Sequence, residues 1–127
     1  MPTLGDFYLQ KILSQKNLVD RQLPGNSGKI EIKEDLIGYK LFYGKKEFIE
    51  CRYEDEARYL KVWMESGMRE IAVPKDEEYL KIIVPELEAL KTKIDQVIHD
   101  NTFGILNRRI RERIRREVYQ EITKVEE

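Results

Sequence analysis

The sequence predicts an α+β fold in a single domain. Three observations carry that expectation. Apolar residues alternate in short runs between Lys29 and Tyr53, the period of a half-buried sheet. Apolar residues recur three and four apart in Glu54 to Ser66 and again after Pro74, the period of helices with one buried face. The chain of 127 residues, 41% of them apolar, is sized for one modest core.

The expected order is an N-terminal helix and loop over residues 1–28, a ββαβ unit over 29–73 and a helical arm over 74–127. Leu4, Tyr8 and Ile12 form one stripe, flanked by Leu9 and Leu13, so a helix is expected over Thr3 to Val19. Asp6 is its candidate cap. Leu23-Pro24-Gly25-Asn26-Ser27-Gly28 reads as a loop. Lys29 to Lys33, Tyr39 to Tyr43 and Glu47 to Tyr53 read as strands, with Gly44 allowing the positive φ of a tight hairpin. Glu54, Asp55 and Glu56 favour a helix N-terminus through the dipole, and Gly67 is placed to end that helix. Arg69 to Val73 is then a short strand, stopped by Pro74. Strand, helix and strand in this order imply a parallel crossover into one small mixed sheet of three to four strands. Asp76 can cap the next helix, and Pro85 should kink or restart it. Asp100 to Gly104 is a break, with Asn101 or Thr102 as candidate cap of a last helix over Ile105 to Lys124.

Composition narrows the function classes. Charged residues make up 37% and nearly cancel, leaving a net charge of −1, so any steering of a partner is local. Glu54 to Gly104 holds seven basic and twelve acidic residues, net −5, whereas Ile105 to Glu127 holds seven basic and five acidic, net +2. The one cysteine, Cys51, excludes an internal disulfide framework and fits a reducing cytoplasm. No apolar run is long enough to span a membrane, and no signal segment opens the chain. A phosphate loop, a dinucleotide fingerprint and a nucleophile elbow are all lacking. One histidine, His99, and one cysteine cannot by themselves supply a His/Cys metal site. No cofactor or metal is therefore expected.

Two features of the arm point to partners. Leu87, Leu90, Ile94 and Val97 alternate three and four apart, a short heptad seam. Ile110, Ile114 and Val118 continue from Leu106 as a second narrow stripe. Narrow apolar seams need a facing surface, and a second copy supplies one symmetrically. The leading expectation is thus a non-catalytic, self-associating binding module, a homo-oligomer with a dimer first.

The alternative rests on Arg108, Arg109, Arg111, Arg113, Arg115 and Arg116, six arginines with one interleaved glutamate. On a helix they form two rows flanking the apolar stripe, a pattern suited to phosphates or to an acidic partner. The plainer reading is a solvated helix with Arg108–Glu112 and Arg113–Glu117 pairs. Flanking glutamates disfavour anionic membrane.

Two weaker constellations complete the picture. Tyr39, Phe42, Tyr43 and Phe48 alternate with Lys40, Lys45 and Lys46, which suits single-strand stacking but equally a core covering. Glu31-Ile32-Lys33, with Asp20 upstream, resembles the acid-x-Lys arrangement of metal-dependent nucleases.

Ile71-Ala72-Val73-Pro74, Ile82-Ile83-Val84-Pro85-Glu86-Leu87-Glu88-Ala89-Leu90 and Lys93-Ile94-Asp95 resemble the strand-to-helix segment in specificity subunits of type I restriction systems. In that family a short Ile/Pro strand leads from a DNA-recognition domain into a long spacer helix. The Pro-rich Glu-Gln start of that helix is missing here. The resemblance implies a DNA-associated, restriction-modification role.

Overall fold

A computed structural model describes residues 3–25 and 29–125. The α+β class holds, with an N-terminal helix and long C-terminal helices. The helices are α1 (Leu4–Phe7), α2 (Glu54–Glu65), α3 (Glu77–Thr102) and α4 (Arg108–Ile122). The strands are β1 (Leu18–Gln22), β2 (Ile30–Glu34), β3 (Tyr39–Tyr43), β4 (Lys46–Cys51) and β5 (Glu70–Pro74). They form two antiparallel sheets, β1-β5 and β2-β3-β4, instead of one mixed sheet.

The N-terminal helix is shorter than its leucine spacing suggests. Thr3, not Asp6, is the N-cap; Asp6 completes a reciprocal capping box from the third helical position. A π-helical turn over Tyr8–Ile12 follows, closed by Leu13 N–H donating to Tyr8 O at 2.9 Å. Leu4, Phe7 and Ile12 are buried, while Leu9 and Leu13 are exposed. The chain then becomes β1, because β5 offers a ladder partner that outweighs local helix propensity. In the loop that follows, Asn26, Ser27 and Gly28 lie outside the described residues.

β2, β3 and β4 form the expected meander, with Gly44 at φ 62° in the tight turn. A register shift at Leu41/Phe42 interrupts the β3–β4 ladder. Ile30, Leu41, Ile49 and Cys51 point to the core.

α2 is the centre of the molecule. Its Ala57, Tyr59, Leu60, Val62, Trp63 and Met64 are buried, too many for one stripe, because the helix is covered by the three-stranded sheet and by α3 together. Trp63 stacks edge-on against Tyr8 at 5.4 Å and Tyr59 at 6.2 Å between ring centres. Gly67 ends the helix region at φ 84°, a conformation free of strain only for glycine.

The expected parallel crossover does not form. β5 pairs antiparallel with β1, from Leu18 opposite Pro74 to Gln22 opposite Glu70. Its other edge is closed by two phenols: Ala72 N–H donates to Tyr8 Oη at 2.9 Å, and Tyr59 Oη donates to Ala72 O at 2.6 Å. Both edges being occupied, β5 cannot join the other sheet.

α3 begins at Asp76, whose carboxylate accepts from Glu78 N and Tyr79 N. It runs unbroken past Pro85. The carbonyl four residues back belongs to Lys81, and both residues are exposed, so water can satisfy the freed acceptor. The break near Gly104 is present. α4 starts later than expected and is capped by Asn107, not Asn101 or Thr102; the Asn107 side chain accepts from Arg109 N and Ile110 N.

Candidate interaction surface on the last two helices

α4 is held to the body through its second half. Tyr119 is fully buried and its hydroxyl donates to the Asp95 carboxylate. Val118 and Ile122 pack beside it, and Gly5 lies so close to the backbone of Lys124 that a Cβ there would meet its carbonyl oxygen at 1.9 Å. Around Tyr119 sits a charged cage. Lys91 Nζ reaches Asp95 at 2.7 Å and Glu65 at 3.3 Å, and Arg115 reaches Asp95 at 3.6 Å. Arg115 also covers the Tyr119 ring at 4.9 Å. Burial, then the Asp95 hydrogen bond, push the Tyr119 phenol far above its ordinary pKa, so it stays a neutral donor.

The first half of α4 diverges from α3. Between them opens a cleft of about 400 Å³ lined by Asp95, Ile98, His99, Thr102, Arg108, Arg111, Glu112 and Arg115. The six arginines therefore divide. Arg115 belongs to the Tyr119 cage. Arg108 bonds Glu112 at 2.9 Å, the i,i+4 pair expected. The Arg113–Glu117 pair does not form, and among the described residues Arg109, Arg111, Arg113 and Arg116 have no ion-pair partner. All four are exposed. Arg109, Arg113 and Arg116 form one row along the helix, spread over roughly 10 Å of its axis. Arg111 points toward the cleft.

The apolar seams are placed differently from one another. Leu87, Leu90 and Ile94 are buried within the chain, with Ile98 in the position next to them, while Val97 is 49% exposed. Ile114 and Val118 are half-buried. Ile110, Leu106 and Phe103 are exposed, so apolar surface stays uncovered at the α3–α4 elbow, as it also does at Leu36 and Ile37 between β2 and β3.

The remaining candidates are not assembled into a site. Asp20 lies on β1 and Glu31 with Lys33 on β2, in different sheets. No group of three or more His, Cys, Asp or Glu among the described residues is arranged to hold a metal ion. His99 is exposed and its ring meets Phe103 edge-on. Tyr39 and Phe48 pack on the core. Lys33 lies over Phe42 and Lys46 over Phe48, while Lys40 pairs with Asp35 and Glu47. Burial, then the nearby Glu56, push the Cys51 thiol up to about 12, so it is no thiolate near neutral pH. No helix of the described residues is long and apolar enough to cross a membrane.

Sequence reasoning missed the Tyr119 cage. Its local traces are the i,i+4 spacings of Lys91 with Asp95 and of Arg115 with Tyr119, but the meeting of the two helices is non-local. Comparison with known protein families, curated proteins and solved structures finds no match, so the geometry alone supports a functional reading.

Proposed function

We propose that the chain is a non-catalytic, nucleic-acid-associated binding module whose contact surface is the first half of α4. The observation that supports this reading is the absence of ion-pair partners for Arg109, Arg111, Arg113 and Arg116 among the described residues. A structural ion-pair network would have consumed them, as it consumes Arg115. Four uncompensated guanidiniums on one helix form a positive patch reaching about one Debye length, roughly 8 Å in physiological salt. Arg109 and Arg111 stand in the first turn of the helix, where the dipole disfavours them, so their placement costs stability that a bound polyanion would return. Such rows contact phosphates and carry little base information. Micromolar protein is expected to bind duplex DNA, single-stranded DNA and RNA at low salt with little sequence preference. Changing Arg109, Arg111, Arg113 and Arg116 to Ala should abolish that binding. Equal binding by the variant would place the contact elsewhere.

Self-association through the C-terminal helices is a second reading, favoured by the exposed Val97, Phe103, Leu106 and Ile110 at the elbow. Leu87, Leu90 and Ile94 are spent inside the chain, so the elbow is the surface left for it. Ile110→Asp should then turn a dimer into a monomer in sedimentation equilibrium. A dimer that is indifferent to this change uses another surface.

A further inference from the structure

We propose that the cleft between α3 and α4 is a binding pocket for a phosphate monoester, with nucleotides as the ligand class: a free nucleoside monophosphate or the phosphorylated end of a strand. Each wall is a helical stripe at i, i+3, i+4 and i+7, from Asp95 to Thr102 on α3 and from Arg108 to Arg115 on α4. That spacing sets the lining groups on one face of each helix. The space between the walls is about 400 Å³, within the range of small-ligand pockets.

The charge left over in the cleft is positive. Asp95 is neutralised in place: Lys91 Nζ reaches it at 2.7 Å, Arg115 at 3.6 Å, and the Tyr119 hydroxyl donates to it. Glu112 accepts from Arg108 Nε at 2.9 Å. That bond engages one nitrogen of the guanidinium, so the two Nη groups of Arg108 keep their donors. Arg111 has no ion-pair partner among the described residues. The opposite wall adds His99, whose ring carries an N–H donor in either tautomer. Two guanidinium forks and an imidazole match the three oxygens of a phosphate monoester, which carries about −1.5 to −2 charges near neutral pH. A carboxylate or a phosphodiester offers fewer such oxygens and a single charge.

The floor selects what the phosphate is attached to. Ile98 and Thr102 are buried, and the Thr102 hydroxyl is spent donating to Ile98 O at 2.8 Å. Inorganic phosphate leaves this apolar floor uncovered, whereas a ring on the ester covers it. The pocket does not rest on the nucleic-acid reading of α4. Arg109, Arg113 and Arg116 do not line it, and Arg111 alone is common to both surfaces.

His99 is the only histidine of the chain, so its ring resonances report on the cleft without overlap. Adenosine monophosphate, titrated into the whole protein at constant pH, should shift them saturably. It should bind about tenfold or more tightly than adenosine or inorganic phosphate. Arg108→Ala with Arg111→Ala should weaken binding about tenfold or more, since each removes a charged donor. Glu112→Gln removes a carboxylate from the cleft and frees Arg108, and should tighten binding about threefold, a gain that no folding defect produces. Changing Arg109, Arg113 and Arg116 to Ala should weaken duplex DNA and leave adenosine monophosphate unaffected, so the two readings fail separately. A single strand with a terminal phosphate that displaces adenosine monophosphate, while its unphosphorylated twin does not, makes the strand end the source. Displacement by neither strand makes it the free nucleotide. Equal displacement by both strands overturns the proposal, because internal diesters then suffice. So does a His99 ring that millimolar adenosine monophosphate leaves in place, one that adenosine shifts equally well, or binding that the double arginine variant retains in full.

Discussion

Tyr119→Ala is expected to destabilise the protein by about 3–5 kcal/mol, the usual cost of emptying a buried aromatic site. The residue is fully buried and is the one side chain of α4 that is. Removing it takes away the ring under Arg115 and Lys91 and the donor to Asp95. Because α4 makes its contacts through this half, the loss should be local first: proteolysis should nick the chain near Gly104 to Asn107 before the rest unfolds. Tyr119→Phe separates the terms. It keeps the ring and removes the hydroxyl, and should cost about 1–2 kcal/mol, since Asp95 retains Lys91 and Arg115 as partners. Urea unfolding of the two variants measures the difference; equal and small losses would mean that α4 is not anchored at this socket.

The second large effect lies at Lys91. Its ammonium is nearly buried between Glu65 and Asp95, and Glu65 also accepts from Ile30 N–H. Lys91→Ala leaves the Glu65 carboxylate, whose side chain is 13% exposed, without its cation. Breaking a buried pair from one side costs about 3–5 kcal/mol, and the partial exposure of Asp95 favours the lower end. Glu65→Gln in the Lys91→Ala background should recover part of the loss by removing the stranded charge. A double-mutant cycle by chemical denaturation gives the coupling. Additive losses would mean that the ammonium contributes nothing to holding α2 and α3 together.

What is legible in the sequence follows from the range of the interactions. β2, β3 and β4 are neighbours along the chain, and alternation with Gly44 is enough to place them. α2 and α3 carry acidic starts and regular apolar spacing, so their bounds are readable to within a few residues, but the break expected at Pro85 does not occur. β1 is not, since Leu9, Leu13 and Val19 suit a helix and the ladder partner is far along the chain at Glu70 to Pro74. The single mixed sheet fails for the same reason: nothing local says that Tyr8 and Tyr59 close the edge that a parallel strand would need. At the site, the arginines are legible as residues but not as a division into caged and unpaired groups. Asp95, which makes that division, lies on another helix. The seam on α3 is legible as a stripe, yet whether it faces α2 or another molecule is a tertiary question.

The measurement that bears most directly on the proposed role is the salt dependence of binding to duplex DNA. Wild-type protein is compared with the variant in which Arg109, Arg111, Arg113 and Arg116 are all changed to Ala. Each phosphate contact contributes about 0.9 to the slope of log K against log salt. The variant's slope is expected to be shallower by about 3–4, with folding unchanged because none of the four arginines has an ion-pair partner among the described residues. An identical slope in the two proteins, or no binding by the wild type even at low salt, would contradict the nucleic-acid role of α4.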